Sequence, residues 1–186
     1  MKEISLHILD IVQNSIKAKA SLIQLKVLEN TFKNQLIITI EDDGKGMDKE
    51  FLEKVTSPFI TTRTTRKVGL GISLLKAAAE RCGGRFQIDS SIGIGTKVEA
   101  CFQYNHIDRA PLGNMVETLI SIILSLGNNT ELIYFHSYND GEFNFDTREI
   151  RDILGDKVLI TEGEVLDWIR NYMEEGLKKI YGGVGN

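Results

Sequence analysis

Two pairs of alternating segments constrain this chain more than any other feature. In "SLIQLKVLE" and "QLIITIEDD" apolar and polar residues alternate, and the polar stretch from Asn30 to Asn34 joins them. "RFQIDSS" and "TKVEACFQY" repeat the pattern around "IGIG". A period of two sends alternate side chains to opposite faces, so each pair predicts a hairpin with one apolar face. A helix-period segment precedes each hairpin. The first runs from about Ile4 to Ala18, and the second, "GISLLKAAAERCGG", stops on Gly83-Gly84. A short helix from Asp48 to about Lys54 and the loop "TSPFITTRTTRKVGLG" lie between them. Helix, hairpin, short helix, loop, helix, hairpin is not a βαβ order. It predicts an α+β fold, a two-layer α/β sandwich with helices on one face of antiparallel strand pairs.

The composition shifts near "NHIDRAPLG", which divides the chain into residues 1–105 and an α/β extension over 106–186. In the extension an amphipathic helix carries Met115, Leu119, Ile122, Ile123 and Leu126. Two strands follow around Asn139-Asp140-Gly141, then a short helix with Asp146 as its candidate N-cap. The last helix is expected to start at a Thr161/Glu164 capping box and to carry Val165, Trp168, Ile169, Tyr172 and Leu177. Those stripes read first as core, packing the extension on itself or on the first sheet. Trp168 and Tyr172 alternatively form a partner-binding face.

The 186 residues are 42% hydrophobic and 26% charged, enough to bury a real core, and the net charge of −4 supplies no basic field for nucleic acid. No apolar run is long enough to span a bilayer, and the N-terminus lacks secretory-signal features, so a cytoplasmic protein is expected. Cys82 and Cys101 show no metal-type spacing and are expected to be reduced, structural thiols.

Three stretches carry chemistry-bearing residues. On the first helix, Asp10, Asn14 and Lys17 follow one another at spacings of four and three, which places an acid, an amide and a base on one line. In "IEDDGKGM" a strand runs into acids and then Gly44 and Gly46; this is either a plain strand–turn boundary or an acid that accepts from a ligand amino group, with glycines that admit a flat ring. In "KVGLGISLL" Gly69 and Gly71 precede a helix whose free N–H groups could hold phosphate oxygens, with Arg63, Arg66 and Lys67 just upstream. No Gly-Lys-Ser/Thr follows, so this is not a P-loop.

Taken in order, Asp10-x-x-x-Asn14-x-x-Lys17, Asp42-x-Gly44-x-Gly46, Pro58-Phe59-Ile60-Thr61-Thr62, Gly69-Leu70-Gly71, Gly83-Gly84 and Gly93-Ile94-Gly95-Thr96 resemble the ATP-binding domain of the GHKL superfamily, nearest its histidine-kinase branch, over about residues 4–104. The resemblance implies the Bergerat-type ATP-binding fold. It implies ATP and Mg²⁺ as ligands, with Asn14 ligating the metal through its amide oxygen and Lys17 contacting phosphate. It matches Asp42 to the aspartate that pairs with the adenine amino group. It assigns further nucleotide contacts to Gly44, Gly46, Met47, Phe59, Thr61, Thr62, Arg63, Gly69, Leu70, Gly71 and Thr96. Asp10 falls where gyrase-like members carry a catalytic glutamate, which makes it the candidate base or a group that orients Asn14 or a magnesium water.

Few residues precede the first helix, so the two-helix dimerisation domain of a histidine kinase, with its phosphoacceptor histidine, is expected to be absent. His7 is expected to be a partly buried helix residue, and His106 and His136 lie outside the motif set. Two functions remain: a phosphoryl-transfer enzyme, either a kinase acting in trans or a slow ATPase, and a nucleotide-gated protein-binding switch. Both expect a protein partner or protein substrate. Neither fixes the oligomeric state.

Overall fold

The computed structural model describes residues 3–56 and 71–182. Helix α1 (Ile4–Lys17) leads into the antiparallel strands β1 (Leu22–Asn30) and β2 (Gln35–Asp42), followed by α2 (Lys49–Thr56). Then come α3 (Gly71–Arg81) and the second hairpin, β3 (Arg85–Ser91) with β4 (Gly95–Gln103). After them come α4 (Met115–Ser125), a third hairpin of β5 (Glu131–Tyr138) and β6 (Gly141–Asp146), α5 (Thr147–Leu154) and α6 (Gly163–Ile180).

The six strands of the described residues form one sheet in the order β3-β4-β2-β1-β5-β6. Every pairing is antiparallel except β1 with β5, which run parallel with Leu25 opposite Tyr134. The alternation read from the sequence sets the two faces. Ile23, Leu25 and Val27 of β1, Leu36, Ile38 and Ile40 of β2 and Val98, Ala100 and Phe102 of β4 are buried on the helix side. Their neighbours Lys26, Glu41 and Lys97 are exposed on the other side. The helix layer runs α3, α1, α4, α6 by side-to-side contact. The two-layer α/β sandwich with its C-terminal α/β extension is therefore the observed architecture, and the extension packs on the first sheet by continuing it.

Helix α1 sits at the middle of the helix layer. Its residue Glu3 makes no side-chain cap. Two of the N–H groups that a helix start leaves unpaired go instead to the segment before α4: Ile4 N donates to Pro111 O at 3.0 Å and Ser5 N to Leu112 O at 2.8 Å. Gly113 follows with φ +90° and lies so close that a Cβ there would stand 2.4 Å from Ser5 Oγ. The extension thus closes the start of the helix that carries Asp10, Asn14 and Lys17.

Asp146 caps α5 as expected, accepting from Arg148 N at 2.9 Å. The Thr161/Glu164 capping box does not form. Glu162 occupies the cap position of α6 without a side-chain cap, because its carboxylate turns back to Leu159 N at 3.1 Å while its own N–H closes a turn on Leu159 O. The expected stripe on α6 also splits: Ile169, Met173, Leu177 and Ile180 are buried, whereas Trp168 and Tyr172 stay exposed. Cys82 and Cys101 are buried and unbonded to each other, and burial pushes both thiols up. Among the described residues no helix is long and apolar enough to cross a membrane.

The end of α6 is fastened by a buried polar cluster. His136 Nε2 meets Glu29 Oε1 at 2.9 Å, Tyr134 Oη meets His136 Nδ1 at 2.5 Å, and Tyr181 Oη donates to Glu29. Burial pushes the Glu29 carboxyl up, but the hydrogen bonds from His136 and Tyr181, with further help from His136 charge, outweigh it and leave the group below its usual value. A carboxyl depressed in the folded state stabilises fully above its ordinary pKa of 4.5, and that contribution is lost as pH falls through the folded value. His136→Phe, which strips a buried carboxylate of a partner, is expected to cost about 3 kcal/mol, and Tyr181→Phe about 1–2 kcal/mol, by urea unfolding at pH 7. The cost of Tyr181→Phe is expected to shrink as the same titration is repeated at decreasing pH below 4.5. A chain ended at Asn105 loses both acceptors at the start of α1 and the α4 cover of its apolar side. Its circular dichroism is expected to show loss of the cooperative unfolding transition.

Candidate functional site

A cavity of about 610 Å³ opens between α1, the ends of β2 and β4, and α2. Its position follows from α1. The helix buries Ile4, Ile8, Ile11 and Val12 against the sheet, and helical geometry then leaves Asn14 and Lys17 facing the cavity. The side chains of Asn14 and Lys17 make no hydrogen bond or ion pair among the described residues, so an amide oxygen and an ammonium with no described partner stand in one wall.

The acidic run in "IEDDG" is sorted by the pleat of β2. Glu41 points to the open face, 3.6 Å from Lys97. Asp42 points to the helix side, is 9% exposed and lines the cavity. Its Oδ2 accepts from Ser15 Oγ at 2.6 Å and its Oδ1 from Gly44 N at 2.9 Å. Asp43 turns back to the start of β1, accepting from Ser21 N at 2.7 Å and Leu22 N at 2.9 Å. Burial raises the Asp43 carboxyl, but the Ser21 hydroxyl and those two N–H groups hold it below its usual value. Only Asp42 keeps acceptor capacity directed at the cavity. A carboxylate has about four lone-pair sites, and two are used.

The glycines have identifiable reasons. Gly46 has φ +65°, and a Cβ there would stand 1.9 Å from Ser91 O, so the close approach that demands glycine is to the protein's own β3–β4 turn. A Cβ on Gly44 would meet Asp42 Oδ1 at 2.9 Å and Ala18 Cβ at 3.0 Å. The loop is held by Met47 N donating to Ser90 Oγ at 2.9 Å, and Ser90 Oγ in turn contacts Thr96 Oγ1 at 2.9 Å and Gly95 O at 2.9 Å. Met47 and Thr96 both line the cavity. Gly71 begins α3 and packs on Asp10, where a Cβ would stand 2.8 Å from Asp10 Cβ. Asp10 itself does not line the cavity but packs on Gly71, the chain neighbour of Ile72, which does.

Of the expected site residues, the structure brings Asn14, Lys17, Asp42, Gly46, Met47 and Thr96 to one cavity, with Gly44, Gly71 and Asp10 in contact with its walls. Phe59, Thr61, Thr62, Arg63, Gly69 and Leu70 lie outside the described residues. Sequence reasoning missed Lys45 and Ser15. Lys45 lines the cavity and has no ion pair among the described residues, and its place between Gly44 and Gly46 was the available signal. Ser15 follows Asn14, but only the folded chain shows that it reaches Asp42.

The donor set suits a divalent ion bound together with a polyanion. Among the described residues no group of three or more His, Cys, Asp or Glu is placed to hold a metal. A hard cation here would take an oxygen from Asn14 and the rest from ligand and water, as magnesium commonly does. The two lysines would face the negative charge and Asp42 an amino group.

Comparison with known proteins bears on family and fold. Residues 2–106 match the family of histidine kinase-, DNA gyrase B- and HSP90-like ATPases. A putative sensor protein of Shewanella frigidimarina is 32% identical over 97 residues, 51% of this chain and 15% of that protein. The histidine protein kinase DivJ of Caulobacter vibrioides is 33% identical over 95 residues, 49% of this chain and 16% of its own. The chain therefore spans less than a fifth of the length of these relatives. In three dimensions the MutL ATPase domain of Aquifex aeolicus, complexed with ADP, superposes with a TM-score of 0.50 at 14% identity, covering 83% of this chain and 69% of that one. The N-terminal domain of a DNA repair protein gives 0.51 at 14% identity, over 78% and 52%. These two likenesses concern the fold. With more than half its length matched by the family model, the chain belongs to the histidine kinase-, DNA gyrase B- and HSP90-like ATPase family.

Proposed function

We propose that this chain binds ATP with Mg²⁺ and works as a phosphoryl-transfer enzyme, a protein kinase acting in trans or a slow ATPase, through the unit formed by residues 1–105. One observation carries the reading: Asp42, Asn14 and Lys17, drawn from two elements, open into the same cavity. Family membership supports it independently.

In this reading Asp42, steadied by Ser15 and Gly44, accepts from the adenine amino group. Met47, Ile40 and Val98 flank the ring, and Lys17 and Lys45 offset phosphate charge. Asn14 would hold Mg²⁺, which when bound neutralises phosphate charge and orients the terminal group. The start of α3, at Gly71 and Ile72, offers N–H groups toward the phosphate side. Asp10, packed on Gly71, is placed to orient a water or a protein hydroxyl. The recipient of the phosphoryl group is a separate protein or water. In the second reading the chain is a nucleotide-gated switch with negligible turnover, and its protein partner senses the bound state.

Asp42→Asn exchanges a charged acceptor for an amide that also donates. Isothermal titration with ATP and Mg²⁺ is expected to show affinity weakened about 10- to 100-fold, the worth of one charge-assisted hydrogen bond, with a cooperative unfolding transition retained. Absence of binding by the wild-type chain would sink both readings. Single-turnover hydrolysis of labelled ATP separates them: Asp10→Asn is expected to bind ATP as wild type does and to lose at least 100-fold in rate if Asp10 is the base. Wild-type binding without hydrolysis or protein phosphorylation assigns the switch.

A further inference from the structure

The aromatic pair on α6 takes no part in the nucleotide cavity. Trp168 and Tyr172 lie one turn apart, with rings stacked at 5.4 Å between centroids and 8° between planes, and they are 52% and 43% exposed. Phe143 of β6 braces Tyr172 from beneath at 5.5 Å. The helix lies close over that ring, since a Cβ on Gly176 would stand 2.1 Å from Phe143. Two large rings held rigid in water forgo the burial such side chains usually gain, and rigid aromatic anchors are what the centres of interfaces are enriched in.

The same stripe carries charge of opposite sign at its two ends. Glu164 precedes Trp168 by one turn, and Glu175 and Lys179 follow Tyr172, all of them exposed. Acid at the start and base at the end suit the helix dipole. They also make the stripe complementary to itself. A second copy laid antiparallel, with a two-fold axis between Asn171 and Tyr172, sets Glu164 against Lys179 of the copy at both ends. It brings Glu175 of the copy to Trp168, whose indole N–H needs an acceptor once covered. A parallel copy would set Glu164 against Glu164 and Lys179 against Lys179. Arg170 does not disturb the centre, being held by Glu117 at 2.8 Å and Asp167 at 2.7 Å.

We propose that α6 is the contact face of a symmetric antiparallel dimer of this chain, centred on Trp168 and Tyr172 and flanked by Glu164–Lys179 pairs. The proposal goes beyond nucleotide binding and does not depend on it. An 18-residue helix is about 27 Å long, and one stripe of it covers less than the roughly 800 Å² per partner of a standard interface. The dimer is accordingly weak and concentration-dependent.

Sedimentation velocity of the full chain without nucleotide, over a concentration series, is expected to show reversible passage from monomer to dimer. Trp168→Ser combined with Tyr172→Ser is expected to remain monomeric throughout. Glu164→Lys or Lys179→Glu alone, at exposed positions, is expected to weaken association about tenfold, and the two together to restore it. Asn171→Cys, beside the axis, is expected to give a disulfide-linked dimer on mild oxidation. A wild-type chain that stays monomeric overturns the proposal and gives the stripe to a different protein. A dimer that survives loss of both rings, or a combined reversal no better than either single one, overturns it equally.

Discussion

The burial of one stripe of α1 governs where the rest of the site can be. Ile4, Ile8, Ile11 and Val12 are 0–3% exposed against the sheet, and each such side chain contributes about 1.5–3 kcal/mol when withdrawn from water. Rotating the helix about its axis would expose that stripe, so its orientation has little freedom. The other stripe, Asp10, Asn14 and Lys17, is then presented along the edge of the cavity, and among the described residues the side chains of Asn14 and Lys17 make no hydrogen bond or ion pair that would hold it there. Ser15 lies between the two stripes and bonds Asp42. One hydroxyl thereby ties the wall carrying the amide and the base to the wall carrying the acid.

The sheet contributes through its pleat. Three acids in a row at the end of β2 enter three environments: the open face, the cavity and the start of β1. Alternation separates Glu41 from Asp42, and the turn that begins at Gly44 folds Asp43 back onto Ser21 and Leu22. The β3–β4 turn presses on the same place from the other side, which is why Gly46 has no room for a side chain. A cavity assembled in this way from α1 and two strand ends needs few dedicated residues, because packing places most of them.

Residues after 105 are part of that packing. They supply the acceptors for the first N–H groups of α1 and add α4 beside it. They also extend the sheet through a parallel pairing of β1 with β5. The family match stops at residue 106, whereas the MutL domain superposes on 83% of the chain, so the likeness in fold runs further than the likeness in sequence. At the far end of β1, Glu29, His136 and Tyr181 fasten α6 with a buried polar cluster. Trp168 and Tyr172 lie on the exposed side of the same helix, with Phe143 against Tyr172.

Much was legible in the sequence because it depends on local periodicity. Period-two alternation determined which residues of β1, β2 and β4 face the helices, and period 3.6 determined that Asp10, Asn14 and Lys17 share a line. Turn and cap chemistry located Asn139-Asp140 and Asp146. The Thr161/Glu164 box misled, because Glu162 found a closer donor in Leu159 N. Contacts between residues far apart in the chain had no local signature. The bond from Ser15 to Asp42, the parallel seat of β5 on β1, the carbonyls of Pro111 and Leu112 at the start of α1, and the exposure of Trp168 and Tyr172 all depend on which surfaces meet. Those meetings are settled by the burial of the whole core, which a local pattern does not encode.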